Sequence, residues 1–160
     1  MRKCSPEIGW YMSPEQLMEQ YRKALALDPA FAMARYGLGK VYVGKAMYAE
    51  AIAEFQAVLR LQASDPRILG NLGPAYAVSG NRAEAGRILA EMTERSKRGY
   101  VRPDAFATVY AGLGDKDRAF EWLNKGVADK AVFLYLGTVF DPLRSDPRFA
   151  ELLRRMNLPR

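Results

Sequence analysis

The chain of 160 residues contains no histidine at all. That removes the commonest general base and the commonest side-chain metal ligand from the possible chemistry. It has one cysteine, Cys4, so no internal disulfide can form, which fits a reducing cytoplasm. No apolar run reaches the roughly 18 to 20 residues a membrane span needs. The N-terminus MRKCSPEIGWYM is basic but carries no apolar stretch of the kind a secretory signal requires. No glycine-rich loop follows a strand, and no ligand cluster has metal spacing. The carboxylates fall on polar faces or at helix starts, where capping explains them. No cofactor, no metal and no catalytic activity are expected.

Composition is that of a globular chain, 49% hydrophobic and 26% charged. The net charge of +6 favours acidic partners without specifying nucleic acid. The basic run Arg95-Ser96-Lys97-Arg98 sits at a helix end, where cations meet the negative end of the dipole.

The apolar residues recur at helical spacing. Ser13-Pro14-Glu15-Gln16 reads as a capping box with proline in the first turn. The helix after it places Leu17, Tyr21, Ala24 and Leu25 on one face and stops at Asp28-Pro29. A second helix is expected from Ala30 to Gly44, with Gly37, Gly39 and Gly44 marking close approaches. A third follows the turn Gly44 to Met47. The next unit starts at Asp65-Pro66, carries Pro74 inside its first helix, and has Asn81 and Glu84 as a second capping-box candidate. Another starts at Pro103-Asp104, with Asp115 as an N-cap. Residues 131 to 140 read as a buried short helix or strand, and a last helix runs from Pro147 to Met156.

The units repeat. Tyr42, Tyr76 and Tyr110 lie 34 residues apart, as do Ala51, Ala85 and Ala119, and Ala46, Gly80 and Gly114. A fixed period with a helix–turn–helix in each unit predicts an all-α superhelix of stacked antiparallel helix pairs.

With that period, Leu38-Gly39 and Tyr42, then Leu72-Gly73 and Tyr76, the chain resembles the tetratricopeptide repeat family. The resemblance covers about residues 13 to 130. It implies a single domain over 1–160: a lone helix at 13–29, helix pairs at 30–64, 65–99 and 100–130, and capping helices at 131–160. The end of the chain, FDPLRSDPRFAELLRRMNLP, is similar to tails that follow such repeats in bacterial multidomain signalling proteins. Departures are Arg35, Leu69 and Pro103 where the family has a large aromatic, Phe106-Ala107 for Leu-Gly, and Ala46 for the turn glycine.

The resemblance implies a protein-binding scaffold whose first helices line a concave groove. Partner-binding candidates are Met33, Tyr36, Lys40, Arg67, Asn71, Asp104 and Thr108, with Val43, Gly70, Ala77, Val78, Val101, Ala111 and Gly112 beside them. The partner would be a protein or peptide, bound in extended form or as a helix. One subclass of the family clamps a terminal carboxylate with five lysine, asparagine and arginine side chains. Only Asn71 matches that set, so recognition of that kind is not expected. Two rival readings are a basic helical repeat binding nucleic acid and a structural or oligomerising module of a larger signalling protein. The first helix has no earlier partner, so residues 1 to 12 or a second copy of the chain would cover it.

Overall fold

A computed structural model describes residues 12–62, 66–129 and 138–157, and also the side chains except those of 66, 67 and 138. Every described element is helical: α1 (Pro14–Leu27), α2 (Ala32–Gly44), α3 (Tyr48–Leu61), α4 (Pro66–Val78), α5 (Arg82–Ser96), α6 (Pro103–Gly112) and α7 (Lys116–Ala128). A 3-10 turn (Thr138–Phe140), α8 (Asp141–Arg144) and α9 (Pro147–Arg155) follow. The reading of residues 131–137, and the expectation that residues 1 to 12 cover the first helix, fall on residues outside the described ones save Met12.

Local chemistry sets the helix starts. At α1 the Ser13 hydroxyl accepts from the Gln16 amide at 3.2 Å, and the Gln16 side chain accepts from the Ser13 amide at 2.8 Å. This is the expected capping box. Asn81 caps α5 by accepting from the Glu84 amide at 3.3 Å, but the reciprocal half is absent. Glu84 instead pairs with Arg87 at 3.1 Å, so the second capping box is corrected to a single N-cap bond. Asp115 and Asp146 cap α7 and α9 through the amides of Arg118 and Arg148. The second helix begins at Ala32, not Ala30. Asp28 holds the Ala30 amide through its side chain at 2.9 Å, and this local turn outcompetes one more helical turn.

Each helix pair closes on the same device. The amides of Met47, Asn81 and Asp115 donate to the carbonyls of Tyr42, Tyr76 and Tyr110 at 2.9, 2.8 and 2.9 Å. These are the six-to-one bonds of a Schellman turn, which needs a left-handed residue just before the donor. Gly80 and Gly114 supply it at φ 85° and 78°, and Ala46 is held there at φ 57°.

Stacking follows the period. The alanines at 51, 85 and 119 are fully buried at 0% exposure, which lets the two helices of each pair come close. At Gly39 an added Cβ would fall 2.6 Å from the Phe55 ring, and at Gly37 2.3 Å from that of Tyr21. Gly44 has open space around it, so it does not mark a close approach. One apolar cluster runs from α2 to α6 through Leu38, Phe55, Leu72, Ile88 and Phe106. A second joins α6 and α7 to the C-terminal helices through Phe120, Leu143, Phe149 and Leu152. Tyr110 and Trp122 touch both, and Trp122 stacks on Phe106 at 4.0 Å. Pro74 cannot donate to the Gly70 carbonyl, yet α4 continues through it to Val78.

Equivalent polar bonds tie α1 to α2 and α3 to α4. Arg22 on α1 donates to the Tyr42 hydroxyl at 3.1 Å, and Gln56 on α3 donates to the Tyr76 hydroxyl at 2.6 Å. The equivalent position before Tyr110 is Ala90, which has no side chain to donate. Arg35, in place of the family's aromatic, bonds Glu54 at 2.9 Å and the Pro29 carbonyl at 3.0 Å. It thereby joins the α1–α2 linker to α3. α1 has no buried residue, and its Leu17, Tyr21, Ala24 and Leu25 are half-buried.

Candidate functional site

The first helices α2, α4 and α6 lie side by side, with α4 packed against α6. Their exposed faces form the surface on which the candidate residues fall. Tyr36, Lys40 and Asn71 are brought together. The Asn71 amide nitrogen donates to the Tyr36 hydroxyl at 3.2 Å, which links α2 to α4. The Tyr36 ring leans on Phe55 at 6.1 Å between centroids. The core therefore braces the ring, while its hydroxyl meets Asn71 in a half-buried position. The Lys40 ammonium stands 5.8 Å from the same ring centroid, one turn further along α2. Lysine stems routinely cover apolar surface in this way while the charge stays in water.

Asp104, at the start of α6, is held by Arg102. Asp104 accepts from the Arg102 Nε at 2.9 Å and from a second guanidinium nitrogen. The Asp104 carboxylate raises the Arg102 pKa above its ordinary value against the opposing effect of burial. Arg102 is not among the residues to which the sequence points. It is the N-cap of α6, which starts at Pro103 as expected, so helical periodicity does not reach it.

The remaining candidates are more dispersed. Met33 is 57% exposed, in the first turn of α2. Thr108 donates to the Ala105 carbonyl at 2.8 Å, so its hydroxyl proton is spent inside its own helix. Arg67 lies in the first turn of α4, and its side chain is outside the described residues. Two flanking expectations are corrected. Ala77 and Ala111 are buried, at 6% and 4% exposure, and belong to the core. An added Cβ on Gly112 would lie 2.9 Å from the Ala77 Cβ, so α4 and α6 touch there and the surface between them is closed. The floor further up is also small-residue packing, with Gly70 facing the Ala105 Cβ at 3.2 Å from an added Cβ.

A depression of about 440 Å³ lies elsewhere, against α1, lined by Glu15, Met18, Arg22 and Lys45. Glu15 and Lys45 pair there at 2.5 Å, which holds the Glu15 carboxyl below its ordinary pKa. Arg22 is spent on Tyr42. Among the described residues no group of three or more His, Cys, Asp and Glu could hold a metal ion. No helix among them is long and apolar enough to cross a membrane.

Stacked antiparallel helix pairs with a 34-residue period, closed by equivalent turns, define a helical-repeat superhelix. The comparison with known families gives the kind of repeat. Models described as TPR repeat and as tetratricopeptide repeat match residues 18–45 and 33–65. Residues 18–65 thus match tetratricopeptide repeats, and the described helices pack in adjacent antiparallel pairs, as in an α-α superhelix of such repeats. A stretch of 70 residues, 44% of the chain, is 46% identical to cellulose synthase operon protein C of Escherichia coli strain K12 and to the corresponding protein of Escherichia coli O157:H7. That stretch spans 6% of the length of each relative. Repeats of this family are in general protein–protein interaction modules.

Proposed function

We propose that the chain binds a protein partner, as a peptide segment or helix, on the surface formed by α2, α4 and α6. The observation that carries this reading is the Tyr36–Lys40–Asn71 group. It joins two repeats through one part-buried hydrogen bond and leaves the Lys40 ammonium exposed beside it. A ring braced by Phe55 loses little freedom on binding, which favours a preorganised contact.

The basic run at the end of α5 gives little support to nucleic-acid binding. Arg95 is tied to Glu91 and Lys97 to Glu94, both at 2.6 Å, so two of its three cations are already neutralised. A continuous stripe of uncompensated cations is what phosphate binding needs.

The test is the triple replacement of Tyr36, Lys40 and Asn71 by alanine. Partner capture from lysate of the source cell should be lost, while helicity and melting temperature stay nearly unchanged. Full capture by a folded triple variant would defeat the reading.

A further inference from the structure

We infer that the surface between α2 and α4 recognises an acidic peptide segment through its side-chain carboxylates. This rests on the protein-binding reading above and names the chemistry of the partner. Three observations support it. First, Lys40 is exposed, makes no ion pair with any described residue, and stands beside the Tyr36–Asn71 pair. Second, the Tyr36 hydroxyl accepts from Asn71, and its own proton has no acceptor among the described residues. Both open groups on α2 are therefore donors. Third, the acid on this surface, Asp104, is already neutralised by Arg102 through two bonds. The described charges of the site thus sum to a net positive surface with unused donors, to which a carboxylate is complementary.

The two donors stand one helical turn apart along α2, on the same side. A row of this kind suits successive acidic side chains of a passing segment. It does not enclose a chain end from several directions.

The test uses the full chain and short fluorescein-labelled peptides read by anisotropy. The probe alternates glutamate and serine and is amidated at its C-terminus. Companion probes replace every glutamate by glutamine, or leave the C-terminus free. The acidic probe should bind, the glutamine probe should bind at least about tenfold more weakly, and the free C-terminus should change little. Lys40→Ala should weaken the acidic probe about tenfold. Arg60→Ala, which removes an exposed cation on α3 and the same net charge, should stay within about twofold. Lys40→Glu should abolish acidic binding with folding intact by circular dichroism.

Equal losses for Lys40→Ala and Arg60→Ala would mean bulk charge attraction and overturn the inference. So would equal binding of the glutamine probe, or binding that depends on the free C-terminus. If none of the probes binds but the triple alanine variant still loses its captured partner, the acidic chemistry falls and the groove reading stands. If the probes behave as expected but capture survives the triple variant, the reverse holds.

Discussion

Ala46 is the clearest place where this sequence and its own repeat disagree, and the disagreement has a calculable cost. The turns of the later repeats put Gly80 and Gly114 at φ 85° and 78°, where glycine pays no steric penalty. Ala46 occupies the same turn at φ 57°. A side chain there costs roughly 1 to 2 kcal/mol from Cβ contact with the following carbonyl. Glycine would remove that cost, but its freer unfolded chain takes back about 0.4 to 1 kcal/mol. The Ala46 side chain is exposed and fills no cavity, so no packing is lost. Ala46→Gly should therefore stabilise the protein by up to about 1.6 kcal/mol, with a central value of about 0.8 kcal/mol. For a chain of this size that is a rise in melting temperature of about 1 to 4 °C. Urea denaturation followed by circular dichroism measures it, provided the slope with denaturant stays the same. The mirror change, Gly80→Ala, should cost about as much as Ala46→Gly gains. A destabilising Ala46→Gly would refute the strain argument, since nothing else at the turn depends on the methyl group.

Ala90→Gln should supply the donor that Gln56 provides one repeat earlier, bonding the Tyr110 hydroxyl and stabilising by about 0.5 to 1.5 kcal/mol in the same assay; pairing it with Tyr110→Phe should abolish the gain. Arg35→Ala and Glu54→Ala in a double-mutant cycle should couple by about 1 kcal/mol, because the pair is only 25% and 20% exposed and Arg35 also holds the Pro29 carbonyl. Asp146 should titrate near pH 2 by carboxyl NMR, below its ordinary 3.8, because the Arg148 side chain and amide both bond its carboxylate. Its folded pKa is depressed, so its contribution to stability is present above about pH 4 and is lost as pH falls through about 2. Asp146→Asn, which keeps a cap but not the charge, should remove that part of the acid dependence.

Much of the fold was legible because the repeat writes it several times over. Ala51, Ala85 and Ala119 announced the close helix crossings, and the capping box at Ser13 follows from four consecutive residues. What sequence missed depends on competition between neighbours. Glu84 had to choose between the Asn81 amide and Arg87, and the charged partner won. Asp28 captured the Ala30 amide and delayed α2. Ala77 and Ala111 occupy groove-facing positions by register, but two small residues let α4 and α6 approach until that part of the surface closed. The placement of Tyr36, Lys40 and Asn71 beside one another was legible because it follows helical register. Arg102 was not, because it lies in the linker ahead of α6, outside the helical register.

The central claim is that partners bind across α2 and α4. The most direct measurement is an amide and side-chain chemical-shift map of the labelled chain, taken while the captured partner is added. The account predicts that the largest shifts fall on Tyr36, Lys40, Gly70, the Asn71 side chain and Arg102. Shifts concentrated instead on exposed residues of α5 and α7, such as Arg87 and Arg118, with Tyr36 and Asn71 unmoved, would contradict it.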